Sequence, residues 1–175
     1  MFSLKNAKAK LSNVNLRSEL HGDKHVLATD LHIEATVSND VLSEFHPSLK
    51  SAMYEKADDA QGELLDEPGR LTALKLPNLA QPLKWNAELE GYETTVHYGI
   101  GGDSDITMIE CEVDSFKFEC KDGGSVNIKF RVIAHPSEEQ VGKLSGMIQS
   151  EIDISLTPPE EQVEQEEQQE LAEAA

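Results

Sequence analysis

Apolar and polar residues alternate through KHVLATDLHIEATVS, residues 24–38. Leu27, Thr29, Leu31, Ile33, Ala35 and Val37 fall on one side; Ala28, Asp30, His32, Glu34 and Thr36 fall on the other. A period of two with one apolar face predicts a strand resting on a core. The period then changes. Val41, Leu42 and Phe45 recur at helical spacing behind the capping-type residues Ser38 and Asn39. Pro47 ends that turn and opens another, with Leu49, Ala52 and Met53 turned inward. Two short helices at an angle are expected.

The segment ADDAQGELLDEPGR, residues 57–70, is charged and broken by Gly and Pro, and reads as a loop. LTALKLPNLAQPLKW reads as a short strand followed by an extended, proline-marked stretch. In GYETTVHYGI, residues Tyr92, Thr94, Val96 and Tyr98 share a face, and GGDSD supplies a turn. Ile109, Cys111 and Val113 then share one parity, whereas Phe116, Phe118 and Cys120 share the other. A β-bulge near Asp114–Ser115 keeps both sets inward. After the turn KDGG, Val126, Ile128, Phe130 and Val132 alternate inward, so residues 92–134 read as an antiparallel meander. Ser137 and Gln140 form a capping box ahead of a helical stripe of Val141, Leu144 and Ile148, and EIDISL is a last strand. The sum is a β-dominated α+β domain of six or seven strands, a small antiparallel barrel or sandwich, OB-like among the options. It spans residues 1–157 and precedes an acidic Glu/Gln-rich tail, residues 158–175, too poor in apolar side chains to fold by itself.

Charge narrows the functional classes. The chain carries −18 overall; without the seven acidic residues of the tail, 26 acidic residues face 15 basic ones, a body charge of −11. Such a field repels phosphate backbones and anionic membranes at long range, so any nucleic-acid contact has to be local. Cys111 and Cys120 are too few for a disulfide framework and read as buried thiols of a reducing compartment. The N-terminus lacks the apolar stretch of a secretory signal, and no run is long enough for a membrane span. The expected location is a cytoplasm.

Against this acidity, FKFECKDGGSVNIKFR gathers Lys117, Lys121, Lys129 and Arg131 on one hairpin. With the turn centred near Gly123, Lys117 lies opposite Lys129, and Arg131 is one step along the same outward face. Like charges in that position destabilise a sheet slightly. One reading is a ribbon that tracks phosphates, with Trp85, Tyr92 and Tyr98 stacking on bases. The plainer reading is a solvated face neutralised by Glu119 and Asp114, its lysines blocking edge-to-edge pairing. A second strip, Glu110, Glu112 and Asp114, places carboxylates at ~6.8 Å intervals on one strand face. Those could hold a divalent cation, imitate a phosphate backbone, or simply face solvent, and Glu93, Thr95 and His97 would extend the strip.

Other candidates are weaker. His21, His25 and His32 have no cysteine near them, and neither a metal nor a cofactor is expected. GIGGDSD lacks the lysine and the strand–helix context of a phosphate loop. Nothing in the order of serines and histidines sets up a nucleophile–base pair, and no enzyme activity is expected.

Three stretches, LSNVNLRSELHGDKHVLATDLHIEATVSNDVL, LKWNAELEGYETTVHYGIGG and FKFECKDGGSVNIKFRVIAHPSEEQVGKLSGMIQSEIDISL, together resemble a family of tailed-phage and prophage early proteins over residues 11–157. The resemblance implies a host-cell cytoplasmic setting and brings no active site with it. The body-plus-tail layout is also similar to phage single-stranded-DNA-binding proteins, in which a β-barrel holds the strand. Here the tail ends ELAEAA, without the acidic–aromatic tip those proteins use to recruit partners. The leading expectation is therefore a binder of single-stranded DNA that works with phage or host replication and recombination proteins. The rival is an acidic protein-interaction module or DNA mimic that inhibits a host nuclease or defence system. An exposed edge strand also offers pairing with a second copy of the chain.

Overall fold

The structure is a computed structural model that describes residues 1–57, 71–100 and 102–159. The elements along the chain are β1 (Leu4–His21), β2 (Lys24–Ser38), α1 (Val41–Phe45), α2 (Leu49–Met53), β3 (Tyr54–Glu55), β4 (Ala73–Leu74), β5 (Leu83–Trp85), β6 (Leu89–His97), a 3-10 turn (Gly102–Ser104), β7 (Ile106–Lys121), β8 (Ser125–Ala134), α3 (Glu138–Gly146) and β9 (Glu151–Thr157). Six strands run antiparallel in the order β7-β6-β9-β1-β2-β8, and β8 returns to β7 to close a barrel. β5 adds a short outer pairing to β7, so one stretch of β7 has neighbours on both sides.

Closure rests on two long strands that each serve two partners. The first half of β1 pairs with β9 and the remainder with β2. The first half of β7 pairs with β6 and the second half with β8. A strand can turn from one neighbour to the next when an extra residue bends it and increases its twist. The register slips between Leu4 and Ala7, at Ser12, between Met108 and Cys111, and between Asp114 and Lys117. Asn6, Glu110 and Ser115 take positive φ at three of these slips. The bulge expected near Asp114–Ser115 is present. The one at Glu110 has no counterpart in the sequence reading, and it turns Ile109 out to 67% exposure, with Met108 buried in its place.

The interior follows the alternation. Leu31, Ile33 and Ala35 of β2, Val96 of β6, Val113, Phe116 and Phe118 of β7, and Val126, Ile128 and Val132 of β8 are all buried. The five phenylalanines of the chain, Phe2, Phe45, Phe116, Phe118 and Phe130, form one cluster. Phe45 lies 4.9 Å from Phe116 and 4.8 Å from Phe118, both tilted toward edge-to-face. Each such pair contributes about 0.5–1.5 kcal/mol beyond simple burial. α1 brings Phe45 to that cluster and buries Val41 and Leu42.

Four local expectations change. Asn39 is not a helix cap; it is buried, and its side-chain amide donates to the Leu71 carbonyl at 2.7 Å, while Asp40 occupies the cap position. Ala52 is exposed, because only Met53 of the second short helix points fully inward. Ile148 lies beyond the end of α3 and is 37% exposed. Pro158 is buried and Pro159 half-buried, so packing continues two residues past β9. The Ser137–Gln140 capping box is present in both directions, at 2.8 and 3.2 Å. The loop expected at 57–70 and the tail at 158–175 fall, apart from Ala57, Pro158 and Pro159, outside the described residues. No helix among the described residues is long and apolar enough to cross a membrane.

Candidate nucleic-acid interface

The β7–β8 pairing places Lys117 directly opposite Lys129, as the hairpin reading required. The β5–β7 pairing then places Lys84 opposite Lys117 on its other side. Three exposed lysines therefore stand abreast on three neighbouring strands. The same line continues around the barrel through Glu34 of β2, Lys10 of β1 and Glu151 of β9, each in register with the next. That further half alternates in sign, as a solvated sheet face normally does; the half formed by Lys84, Lys117 and Lys129 does not. Lys84 could not be joined to this row from the sequence, because its place depends on a pairing between segments more than thirty residues apart.

A groove of about 400 Å³ crosses the sheet at this row, passing from Ser12 on β1 over His32 and Ile33, Phe130 and Arg131, and Ser115–Lys117 to Lys84, Trp85 and Asn86. It spans β1, β2, β8, β7 and β5, four strand spacings, or roughly 19 Å at ~4.8 Å each. Two of the residues that line it, Ser12 and Ser115, sit at bulges that bend the barrel strands. Trp85 is half-buried. Its ring packs against the core beside Phe45, edge-on at a centroid distance of 6.3 Å, in register with buried Phe116 and out of phase with Lys84, and its remaining exposed part lines the groove.

The four cations of the groove are not equivalent. Lys84 and Lys117 make no ion pair or side-chain hydrogen bond among the described residues. Lys129 reaches Glu34 Oε1 at 3.1 Å, with its side chain 46% exposed. Arg131 is committed within the protein: Nε donates to Asp114 Oδ1 at 2.8 Å, Nη2 donates to Asp114 Oδ2, and Asp30 lies 3.8 Å from Nη1. The Arg131 guanidinium holds the Asp114 carboxyl below its ordinary range, against the opposing effect of burial. Asp114 and Asp30 likewise raise the Arg131 pKa. Arg131 is thus a structural clasp between β8 and β7, and its expected role as a free phosphate contact is corrected.

Three other expected contacts are displaced. Tyr92 is fully buried with its hydroxyl donating to the Phe2 carbonyl at 2.8 Å, so it cannot stack on a ligand. Its parity on β6 follows Thr94 and Val96 inward. Tyr98 is 40% exposed but lies in the β6–β7 connection and does not line the groove. Lys121 lies near the hairpin turn and lines a separate depression with Lys8, Lys10 and Gln149. The carboxylate strip is also altered: Asp114 is clasped by Arg131, and Glu110 sits on a bulge at φ 54°. Glu112 is half-buried, and burial, then Asp114, Glu88 and Glu90, push its carboxyl upward. Three free carboxylates in a regular line are therefore not what this strand presents.

His32 donates to or accepts from the Asn15 amide at 3.3 Å, and His25 pairs with the Ser18 hydroxyl at 3.1 Å. Among the described residues no three His, Cys, Asp or Glu side chains gather as a metal would require. Cys111 and Cys120 are free and buried, and burial raises both thiols. Comparison with protein-family models, curated proteins and solved structures yields no match to this chain.

Proposed function

We propose that this protein binds single-stranded nucleic acid in the groove that crosses β1, β2, β8, β7 and β5. The observation that carries the reading is the row of Lys84, Lys117 and Lys129 beside Trp85. Adjacent like charges on a sheet raise its free energy unless something neutralises them, and among the described residues a carboxylate reaches Lys129 but neither Lys84 nor Lys117. A phosphate backbone supplies the missing charge, and a base supplies a face for Trp85. Both elements are those by which sheets hold single strands without reading sequence. The groove is long enough for about four nucleotides, the lower end of what one small barrel holds. The local cationic row also answers the body charge: attraction is confined to the groove, and the surrounding acidic surface repels nucleic acid elsewhere. The resemblance of residues 11–157 to tailed-phage early proteins gives the setting, an accessory to phage replication or recombination in the host cytoplasm.

Trp85 is the one tryptophan of the chain, so its fluorescence reports on the groove directly. Titration of the full chain with oligo-dT should quench that emission. The affinity should fall with salt at a log–log slope of about −2, corresponding to two or three neutralised phosphates. Lys84→Glu combined with Lys117→Glu should abolish the response. Absence of quenching at low salt, or an affinity indifferent to salt, overturns the reading. Recovery from host lysate of a DNA-binding protein, released by salt and insensitive to the lysine changes, would instead favour the acidic-mimic function.

A further inference from the structure

The strand pair β6–β9 forms another part of the barrel wall, and its outer surface carries an arrangement unrelated to the lysine row. Thr95 and Ser155 are in direct register, and His97 lies two residues along the same outward face of β6. The His97 ring reaches diagonally to Ser155, with Nε2 at 2.8 Å from Oγ. On its other side, Nδ1 lies 3.0 Å from Asp105 Oδ2. Asp105 is itself held: its Oδ1 accepts the Tyr98 backbone N–H at 2.9 Å, and its own N–H donates to the Gly102 carbonyl at 2.9 Å.

The partners dictate where the protons lie. An ionised carboxylate only accepts, and the Tyr98 N–H and the imidazole both hold Asp105 below its ordinary range. Nδ1 of His97 therefore carries the hydrogen and donates it to Asp105. In the neutral ring Nε2 is then the acceptor, and the Ser155 hydroxyl donates to it. Asn6 completes the pattern. Its backbone N–H donates to Ser155 Oγ at 3.0 Å, leaving the serine's own hydrogen for His97. Asn6 lies where the β1–β9 register slips, at φ 45°, so its N–H is outside the ladder and turned toward the serine. Non-glycine residues at positive φ cost energy and concentrate where a site needs a particular backbone direction. Burial is graded in the useful sense: the Asp105 side chain is 15% exposed, that of His97 is 33% exposed, and Ser155 is half-buried.

We propose that Ser155, His97 and Asp105 form a nucleophilic acyl-transfer site for small carboxylic esters. Ser155 Oγ attacks the ester carbonyl carbon as its proton passes to His97 Nε2. The new Oγ–C bond forms, and the C–O bond to the leaving alkoxide breaks; the alkoxide takes the proton from Nε2. Water then attacks the acyl-serine with His97 as base, releasing the carboxylic acid and restoring the hydroxyl. The Asn6 N–H donates to Ser155 Oγ and so orients the nucleophile, with its hydrogen directed at His97. Asp105 is a positioning residue that holds the productive tautomer. His97 and Ser155 stand on the outer sheet surface with Asp105 in the turn before β7, so the acyl group arrives from solvent, which favours small or extended esters.

The test uses the full chain and a fluorophosphonate, which phosphonylates activated serines, with the modified peptide located by mass spectrometry. The expected result is one label per chain on Ser155. His97→Gln and Asp105→Asn should each slow labelling on the order of 10²-fold or more. Asp105→Glu should recover part of the rate, which a merely structural role for the carboxylate would not give. Hydrolysis of p-nitrophenyl acetate should fall to the solution background in Ser155→Ala. No label on Ser155, or a label at another residue, overturns the proposal. So does Ser155→Ala hydrolysis at the parent rate, because an exposed histidine alone can attack that ester. Labelling of the unmodified chain decides the matter even if a variant fails to fold.

Discussion

Lys117 and Lys129 face each other across the β7–β8 ladder, both outside the barrel and both exposed. With Lys84 on the far side of Lys117, the middle lysine has a cation on each flank. Its removal should therefore move stability and binding in opposite directions. Lys117→Ala should stabilise the free protein by about 0.2–1 kcal/mol in urea unfolding. The same change should weaken oligo-dT binding and lower the salt slope by about 0.7. Loss of stability together with unchanged binding would mean that the row is only a solvated face.

The Asp114–Arg131 clasp should appear as a dependence of stability on pH. The folded-state pKa of Asp114 is depressed, with the Arg131 hydrogen bonds as the first cause. Its contribution is therefore complete above the ordinary aspartate range, near pH 4, and is lost as pH falls through the lower folded value. Asp114→Asn should cost about 1–3 kcal/mol at neutral pH, discounted for the partial exposure of Arg131. The difference from the parent should shrink toward pH 2 in acid-dependent denaturation. A constant difference across that range would place the cost elsewhere.

Tyr54 ties the hairpin that carries the lysines to the helical layer. Its buried hydroxyl lies 2.7 Å from the Ser125 carbonyl and 3.0 Å from that of Lys121, and it accepts the Lys121 N–H at 3.1 Å. Tyr54→Phe leaves backbone groups at both ends of the turn without that partner. Unfolding should be easier by about 1–3 kcal/mol. Amide exchange at Lys121 should accelerate more than exchange elsewhere in β7. Uniform acceleration would indicate a global rather than a hairpin effect.

Deletion of residues 160–175 should leave unfolding unchanged within about 0.5 kcal/mol, because the segment is poor in apolar side chains. It also removes seven negative charges. Binding of oligo-dT should tighten at low salt, and the gap should close as added salt screens the tethered polyanion. Equal affinities at low salt would show that the tail does not oppose the ligand.

Much of the barrel wall was legible, because a half-buried strand writes its burial into a local period of two. The β2 alternation, the β6–β7–β8 meander, the bulge near Ser115 and the capping box of α3 all depend on neighbours in sequence. β1 was not legible. Slips at Lys5–Asn6 and at Ser12 break its alternation, and from residue 12 onward β9 no longer covers its other edge, which leaves Leu16 and Leu20 exposed at 52% and 66%. The Glu110 bulge was hidden for the same reason: a residue added to a strand changes parity without changing composition. The groove was half-legible. Lys117 and Lys129 share a hairpin, so a turn position sets their register, but Tyr92 was claimed both for the core and for a ligand, and the core holds it.

The chain's own order of residues determined the strand-rich class, the acidic field and the opposition of two lysines, since each follows from short-range periodicity or from simple counting. Tertiary closure decided the rest. It brought Lys84 and Trp85 beside the hairpin and set His97 against Ser155, 58 positions away. Such contacts depend on which strands become neighbours and in which register, and that is a property of the closed sheet rather than of any segment in it.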